Sequence, residues 1–166
     1  LVDAAAPALI IAYAVGRIGC QVSGDGDWGV YNSAYISDEY GTVTVAAPGD
    51  FEKQLQKNAS FFTEGTTLDT SGRMVYVTDR VPNWLFAYSY PQNVNKDGIL
   101  IPGITDEHNR VLPQPVFPTP LYEIIICTLL FLFLWAIRKN VKTPFVLFGI
   151  YLVVNGIERF LVESIR

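Results

Sequence analysis

The sequence predicts an all-α polytopic membrane protein, a bundle of transmembrane helices, with a mixed α/β extracytoplasmic insertion. Of the 166 residues, 50% are hydrophobic and 17% are charged, whereas soluble domains carry roughly 25% charged residues. The charge is also uneven: residues 31–110 hold ten acidic and six basic side chains, and the remainder holds six of each. The net charge of −4 therefore comes from residues 31–110. This acidic segment offers no basic surface for binding nucleic acid.

Three apolar stretches predict the membrane helices. Residues 4–18 are apolar up to Gly16, residues 121–137 contain a long uncharged run, and residues 144–166 begin at a proline. A helix of the last length rises about 35 Å, enough to cross a bilayer. The basic loop 138–143 joins the second and third helices, and the positive-inside rule places it in the cytoplasm. The opposite ends of these helices then lie at the outer face.

This topology predicts three domains. Residues 1–29 are the end of a transmembrane helix plus a signature loop, residues 30–116 are the extracytoplasmic insertion, and residues 117–166 are two transmembrane helices with their cytoplasmic loop. Within the insertion, alternation predicts strands at 42–46 and 73–78. Residues 51–62 are expected to form an amphipathic helix with Asp50 as its N-cap, and residues 84–90 are either a strand or an aromatic belt at the membrane surface.

Charged residues in the last helix are candidates for a functional site, because each costs about 3 kcal/mol inside a membrane. Asn155, Arg159 and Glu163 share one helical face, and Arg159 can pair with Glu163. Glu158 projects about 100° away from that face. The alternatives are a structural ion pair or charged groups that extend to the interface.

Two further charged residues lie at helix ends. Glu123 is either a site residue or a first-turn carboxylate that the helix dipole favours. Arg17 lies between Gly16 and Gly19, a spacing that lets a ligand approach the backbone. Arginine suits forked recognition of phosphate, and a phosphate beside an apolar helix indicates a phospholipid headgroup.

The segment 23–29 (SGDGDWG) contains two aspartates in a glycine-rich turn. It lacks the length and terminal glutamate of an EF-hand, so we expect no metal. An ordered turn with one carboxylate paired to Arg17 is favoured instead.

Three blocks at the two ends of the chain form a recognisable series. Residues 16–29 read GRIGCQVSGDGDWG, residues 118–123 read PTPLYE, and residues 149–166 read GIYLVVNGIERFLVESIR. Val81-Pro82-Asn83-Trp84 adds a shorter match. In this order the blocks resemble the prolipoprotein diacylglyceryl transferase family, over roughly the first 29 and last 50 residues.

The resemblance implies a function and a site. The family transfers the diacylglyceryl group of phosphatidylglycerol to the lipobox cysteine of prolipoprotein signal peptides, without a cofactor or metal. It implies a monomer in the bacterial cytoplasmic (inner) membrane, with several membrane passes and with the active site and insertion toward the periplasmic face. The implied catalytic residues are Arg17, Glu123, Arg159 and Glu163. The implied phosphatidylglycerol-binding residues are Arg17, Ser23, Gly24, Asp25, Tyr122, Asn155 and Arg159. Glu123 and Glu163 are both available as the thiol's base, and each can instead orient an arginine.

The chain departs from the family pattern at several positions. Cys20 replaces asparagine, Phe117 replaces histidine, Pro120 replaces glutamine and Asn155 replaces tyrosine. The signature turn is one residue longer, so either Asp25 or Asp27 takes the place of the family's glutamate. An upstream His-Gly-Gly motif is missing, and we expect the chain to begin within a longer protein. The rival interpretations are a transporter or lipid-binding membrane protein and an inactive family member.

Overall fold

The computed structural model describes residues 2–63 and 82–166. The chain forms two compact units. The helical unit comprises the chain up to Val22 together with Thr119–Arg166, and the arm unit comprises Ser23–Pro118. The predicted strand at 73–78 lies outside the described residues, as does Val81 of the predicted Val-Pro-Asn-Trp match.

The helical unit contains three long helices, α1 (Val2–Ser23), α4 (Thr119–Ile137) and α5 (Val146–Glu163). The last residue of α1, Ser23, already belongs to the arm unit. Its core contains Ala6, Ile10 and Ala14 from α1, which recur at i, i+4 and i+8 and so line one helical face. Large apolar side chains on α4 and α5 are exposed instead, among them Leu129, Phe133, Val153 and Phe160. An apolar outer surface of this kind is typical of a lipid-facing bundle.

Within the described residues, α1 and α4 are long and apolar enough to cross a membrane. Helix α5 has 18 residues but carries Glu158, Arg159 and Glu163 within its final turns. The described residues are thus rich in helix, with two candidate membrane spans and few strands. A complete polytopic bundle stays a prediction.

Asp3 holds the start of α5 from the first turn of α1. The backbone N–H groups of Phe145 and Phe148 donate to the two oxygens of Asp3 at 2.7 and 2.9 Å. Phe145 is the N-cap of α5 and has a left-handed backbone (φ 65°) without a side-chain cap of its own. Because the first N–H groups of a helix lack intrahelical partners, Asp3 supplies the missing acceptors.

The arm unit contains two small antiparallel sheets and two short helices in its described part. Strands β1 (Tyr35–Ser37) and β2 (Val43–Val45) form one hairpin, and β3 (Ile99–Leu100) pairs with β4 (Arg110–Val111). Isolated bridges join Val116 to both Tyr31 and Tyr88. Helix α2 (Asp50–Lys57) is followed by α3 (Ala59–Thr63), and a single 3-10 turn spans Asn83–Leu85.

Buried amides connect the loops of the arm unit. The fully buried Gln114 donates from Nε2 to the carbonyls of Asn32 and Tyr35, both at 2.8 Å. Gln54 of α2 donates to the carbonyls of Ser37 and Pro113, both at 2.7 Å. These bonds satisfy backbone groups that a loop-rich fold leaves without ladder partners.

Several local predictions need correction. The amphipathic helix predicted at 51–62 is two helices, because Asn58 ends α2 and its Nδ2 bonds the carbonyl of Gln54. Asp50 is not the N-cap: Gly49 occupies that position, and Asp50 accepts the N–H of Ala47 instead. The signature residues up to Ser23 are helical rather than a loop. Gly16 and Gly19 lie within α1, and apart from their chain neighbours and the nearby backbone of α1 a Cβ on either would have no atom of the described residues within 4 Å.

Candidate functional site

Three of the predicted site residues meet in the helical unit. Arg17 lies near the end of α1, Glu123 lies in the second turn of α4, and Arg159 lies near the end of α5. Glu123 is 1% exposed, the Arg17 side chain is 10% exposed, and that of Arg159 is 50% exposed. We call these residues, together with Tyr13, the Glu123 cluster.

Glu123 is the acceptor at the centre of the Glu123 cluster. Arg17 Nε lies 2.7 Å from Oε2 of Glu123, and the Tyr13 hydroxyl donates to Oε1 at 2.6 Å. Arg159 Nη1 makes a longer contact of 3.4 Å with the same Oε1. A buried carboxylate needs charged partners and donors to offset the loss of water, and Glu123 has both. In this arrangement Glu123 binds both arginines. A role for Glu123 as the base of the thiol stays a prediction.

Tyr13 bridges the two arginines, and sequence patterns did not single it out. Its hydroxyl accepts a hydrogen bond from Arg17 Nε at 2.9 Å while donating to Glu123. The Cζ atoms of Arg17 and Arg159 each lie 5.1 Å from the centre of its ring. That distance is within the range of cation–π attraction. The i, i+4 spacing of Tyr13 and Arg17 on α1 was the available signal.

The Glu123 cluster carries two guanidinium charges against one carboxylate. Arg17 is held by Glu123 and Tyr13, and its Nη1 also contacts Cys20 Sγ at 3.5 Å. Arg159 is half exposed and makes the longer contact, so it has the more accessible donors. An arrangement with excess positive charge and accessible guanidinium donors suits an anion such as a phosphodiester.

The expected pair between Arg159 and Glu163 is not formed. Among residues 2–63 and 82–166, the ion pair of Arg159 is with Glu123, while Glu163 is exposed at the last residue of α5. The buried Glu123 attracts Arg159 more strongly than an exposed carboxylate, because water screens the latter. Asn155 and Tyr122 are both partly buried, on α5 and α4 respectively.

Glu158 is a second residue that the sequence prediction left outside the site. It is 1% exposed, and neither of its carboxyl oxygens has a hydrogen-bond partner among the described residues. Its burial follows from its spacing, since Glu158 and Val162 lie at i and i+4 on the buried face of α5. The sequence prediction instead selected the face of Arg159, about 100° away from Glu158.

The predicted lipid-binding residues Ser23, Gly24 and Asp25 belong to the arm unit. The carbonyl of Ser23 accepts the N–H of Val94 at 2.9 Å. Gly24 has φ +62°, and a Cβ there would lie 2.8 Å from Cβ of Asn93, so this turn requires glycine. Asp25 is exposed, and its Oδ1 accepts a long 3.4 Å contact from the N–H of Asp27. Their roles toward a lipid stay predictions, as does the pairing of a turn carboxylate with Arg17.

A cavity of about 490 Å³ opens within the arm unit, in the size range of small-ligand sites. Its lining includes Trp28, Tyr31, Phe61, Lys96, Asp97 and Arg110. Burial and, to a smaller extent, the charge of Asp97 raise the pKa of Tyr31 to about 12. The phenol is therefore neutral at neutral pH. The lining combines aromatic surface with both signs of charge and does not single out one class of ligand.

Comparison with known proteins agrees with the sequence blocks. A family model described as prolipoprotein diacylglyceryl transferase matches residues 1–166. Two relatives from Leptospira interrogans, serovars copenhageni and Lai, are named phosphatidylglycerol–prolipoprotein diacylglyceryl transferase, and each is 28% identical over 168 residues. The alignments cover 99% of this chain and 32% of each relative, so the chain spans about a third of their length. No solved structure matches the chain. The chain belongs to the prolipoprotein diacylglyceryl transferase family.

Proposed function

We propose that the chain is part of an enzyme that transfers the diacylglyceryl group of phosphatidylglycerol to the lipobox cysteine of prolipoproteins. The proposal is supported by family membership and by the names of the two Leptospira relatives. The observation that carries it is the Glu123 cluster, in which one buried carboxylate holds Arg17 and Arg159 together and leaves a net positive charge.

The Glu123 cluster suits the lipid donor. A phosphatidylglycerol headgroup carries one negative charge on its phosphodiester, and two guanidinium groups offer several charge-assisted donors for its oxygens. Because Glu123 and Tyr13 fix Arg17 in advance, little reorganisation is needed when the anion binds. Arg159, half exposed, is the group that contacts the lipid phosphate first.

The transfer step balances without a cofactor. The acceptor thiol loses its proton, since the thiolate is the nucleophile. Sulfur then bonds to the terminal glyceryl carbon of the diacylglyceryl group, the bond between that carbon and the phosphate oxygen breaks, and the oxygen keeps the electron pair. Glycerol phosphate leaves with the proton that the thiol released. Arg17 and Arg159 stabilise the charge that develops on the leaving phosphate.

The membrane placement is part of the proposal. Helices α1 and α4 are apolar enough to span, and the basic loop after α4 favours a cytoplasmic position by the positive-inside rule. The Glu123 cluster and the arm unit then face the outer side of a bacterial inner membrane. In this arrangement the three domains 1–29, 30–116 and 117–166 correspond to a helix with its signature segment, an extracytoplasmic arm and a helix pair.

The test uses the protein expressed from its complete reading frame, in detergent or vesicles with phosphatidylglycerol and a synthetic lipobox peptide. Mass spectrometry is expected to show a gain of one diacylglyceryl group on the peptide, and none on a peptide whose cysteine is replaced by serine. Phosphatidylethanolamine in place of phosphatidylglycerol is the lipid control. Absence of any gain with the wild-type protein would contradict the enzyme interpretation and favour a transporter, a lipid-binding protein or an inactive family member.

A further inference from the structure

Glu158 and Glu123 are equally buried but have opposite surroundings. Both are 1% exposed. The carboxylate of Glu123 accepts contacts from three donors, Tyr13 Oη, Arg17 Nε and Arg159 Nη1. The two oxygens of Glu158, in contrast, have no hydrogen-bond partner among the described residues. The chain thus places two carboxyl groups in the same interior and provides donors to one of them.

The charged and titratable groups around Glu158 come from all three long helices. Glu123 on α4, Arg17 on α1 and Arg159 on α5 are close enough to Glu158 for their charges to act on it. Cys127, fully buried one turn after Glu123 on α4, lies in the field of both carboxyl groups. Both guanidinium groups contact Glu123, and among the described residues neither donates a hydrogen bond to Glu158.

Burial without hydrogen-bond donors destabilises the ionised form of a carboxyl group relative to the neutral acid. An ionised carboxylate in an apolar interior has lost its water and, here, gains no protein donor in return. A second negative charge near Glu123 would also be repelled by the first. The neutral acid avoids both costs. When neighbouring carboxyl groups have such different surroundings, one carries the charge and the other the proton.

We propose that Glu158 is held as a neutral carboxylic acid and thereby keeps the interior of the helical unit at one net positive charge. Arg17 and Arg159 contribute two positive charges and Glu123 removes one. The remaining charge equals that of a single phosphodiester in magnitude and is opposite in sign. Glu158 is a positioning residue in this role, since it acts through the charge of the Glu123 cluster. The choice of a phosphodiester as the ligand rests on the proposed function, but the neutral state of Glu158 does not.

Infrared spectroscopy of the complete protein tests the neutral acid directly. The carbonyl stretch of a protonated carboxyl group is expected at neutral pH in the wild type and is expected to be lost in Glu158→Gln. Glu163→Gln, which alters an exposed carboxylate on the same helix, is expected to keep it. Glutamine has the shape and neutrality of the acid, so Glu158→Gln is also expected to fold. An unchanged band in Glu158→Gln, or a failure of that variant to fold, would overturn the proposal.

The KM for phosphatidylglycerol supplies a second readout. At neutral pH the KM of Glu158→Gln is expected within about twofold of the wild type, because the net charge is unchanged. At alkaline pH, ionisation of Glu158 in the wild type reduces the net charge from one to zero, so its KM rises, whereas Glu158→Gln lacks this rise. The same alkaline rise in both proteins would contradict the charge-setting role. If the wild type transferred no lipid at all, the infrared result would still decide the state of Glu158.

Discussion

The Tyr13 hydroxyl donates a 2.6 Å hydrogen bond to Glu123, although the two residues are 110 positions apart. The same hydroxyl accepts a hydrogen bond from Arg17, and the ring of Tyr13 lies within cation–π distance of the guanidinium groups of both Arg17 and Arg159. Tyr13 therefore couples both arginines to their common carboxylate. Loss of the Tyr13 hydroxyl is therefore expected to disturb the alignment of the two arginines, although both side chains remain in the site.

Tyr13→Phe is expected to lower kcat/KM for phosphatidylglycerol by roughly 10- to 100-fold, because a hydrogen bond to a charged group contributes about 1.5–3 kcal/mol. The ring remains, so both cation–π contacts are kept. Initial rates of peptide modification measure the effect. Tyr40→Phe, which changes an exposed tyrosine of the arm unit, is the control and should have no effect. Equal rates for both variants would show that the hydroxyl is dispensable.

Asp3→Ala is expected to lower the free energy of unfolding by about 1–2 kcal/mol, the usual cost of losing a helix cap. It removes the acceptors for the N–H groups of Phe145 and Phe148 at the start of α5. Thermal unfolding of the complete protein in detergent measures the change. Asp106→Ala removes an exposed aspartate of the arm unit and should leave the midpoint unchanged. Equal midpoints for both variants would argue against the cap.

Gln54→Ala is expected to destabilise the arm unit by about 1–3 kcal/mol, because two neutral hydrogen bonds are lost and two carbonyls lose a donor. The carbonyls are those of Ser37 and Pro113. Hydrogen exchange of the hairpin formed by β1 and β2 should accelerate. Gln56→Ala, two positions along the same helix and exposed, provides the matched control. Exchange that accelerates equally in both variants would indicate a loss of helix propensity instead.

Asp38 makes the hairpin of the arm unit sensitive to acid. Partial burial raises the pKa of Asp38, but hydrogen bonds from the backbone N–H groups of Thr42 and Tyr40 outweigh it, and the net pKa is lowered. Those two groups donate to Oδ1 at 2.8 and 2.9 Å. A lowered folded-state pKa stabilises the fold above the unfolded value of about 3.9, and the contribution is lost as pH falls through the folded value.

Asp38→Asn should therefore cost stability at neutral pH and progressively less below about pH 4. Chemical denaturation of the two proteins at a series of pH values measures the difference between them. A difference that stays constant across this range would mean that the charge of Asp38 plays no part.

The three long helices could be predicted from the sequence because long apolar runs are a local signal. Predicted ranges 121–137 and 144–166 correspond to Thr119–Ile137 and Val146–Glu163. Arg17, Glu123 and Arg159 could be identified because charge in an apolar helix is costly and needs a reason. The family resemblance is confirmed by the match over residues 1–166.

The remainder depends on contacts that the sequence does not encode locally. Tyr13 looks like any amphipathic residue in an apolar helix until Glu123 is placed beside its hydroxyl. Strand β1 and the buried Gln114 depend on partners up to 82 residues away. Glu158 was missed because Arg159, one residue later, marked a different face of α5. The burial of Glu158 could be read only once Leu147 and Val162 were known to face inward.

The most direct test of the central claim compares two arginine-to-lysine variants in the peptide modification assay. Arg159→Lys keeps the charge but loses the planar fork that binds phosphate, so kcat/KM for phosphatidylglycerol should fall by roughly tenfold or more. Arg138→Lys changes an arginine that stacks on Trp135 beyond the end of α4, outside the Glu123 cluster, and should stay within about twofold of the wild type. If Arg159→Lys were as active as Arg138→Lys, the Glu123 cluster would not be the phosphatidylglycerol site.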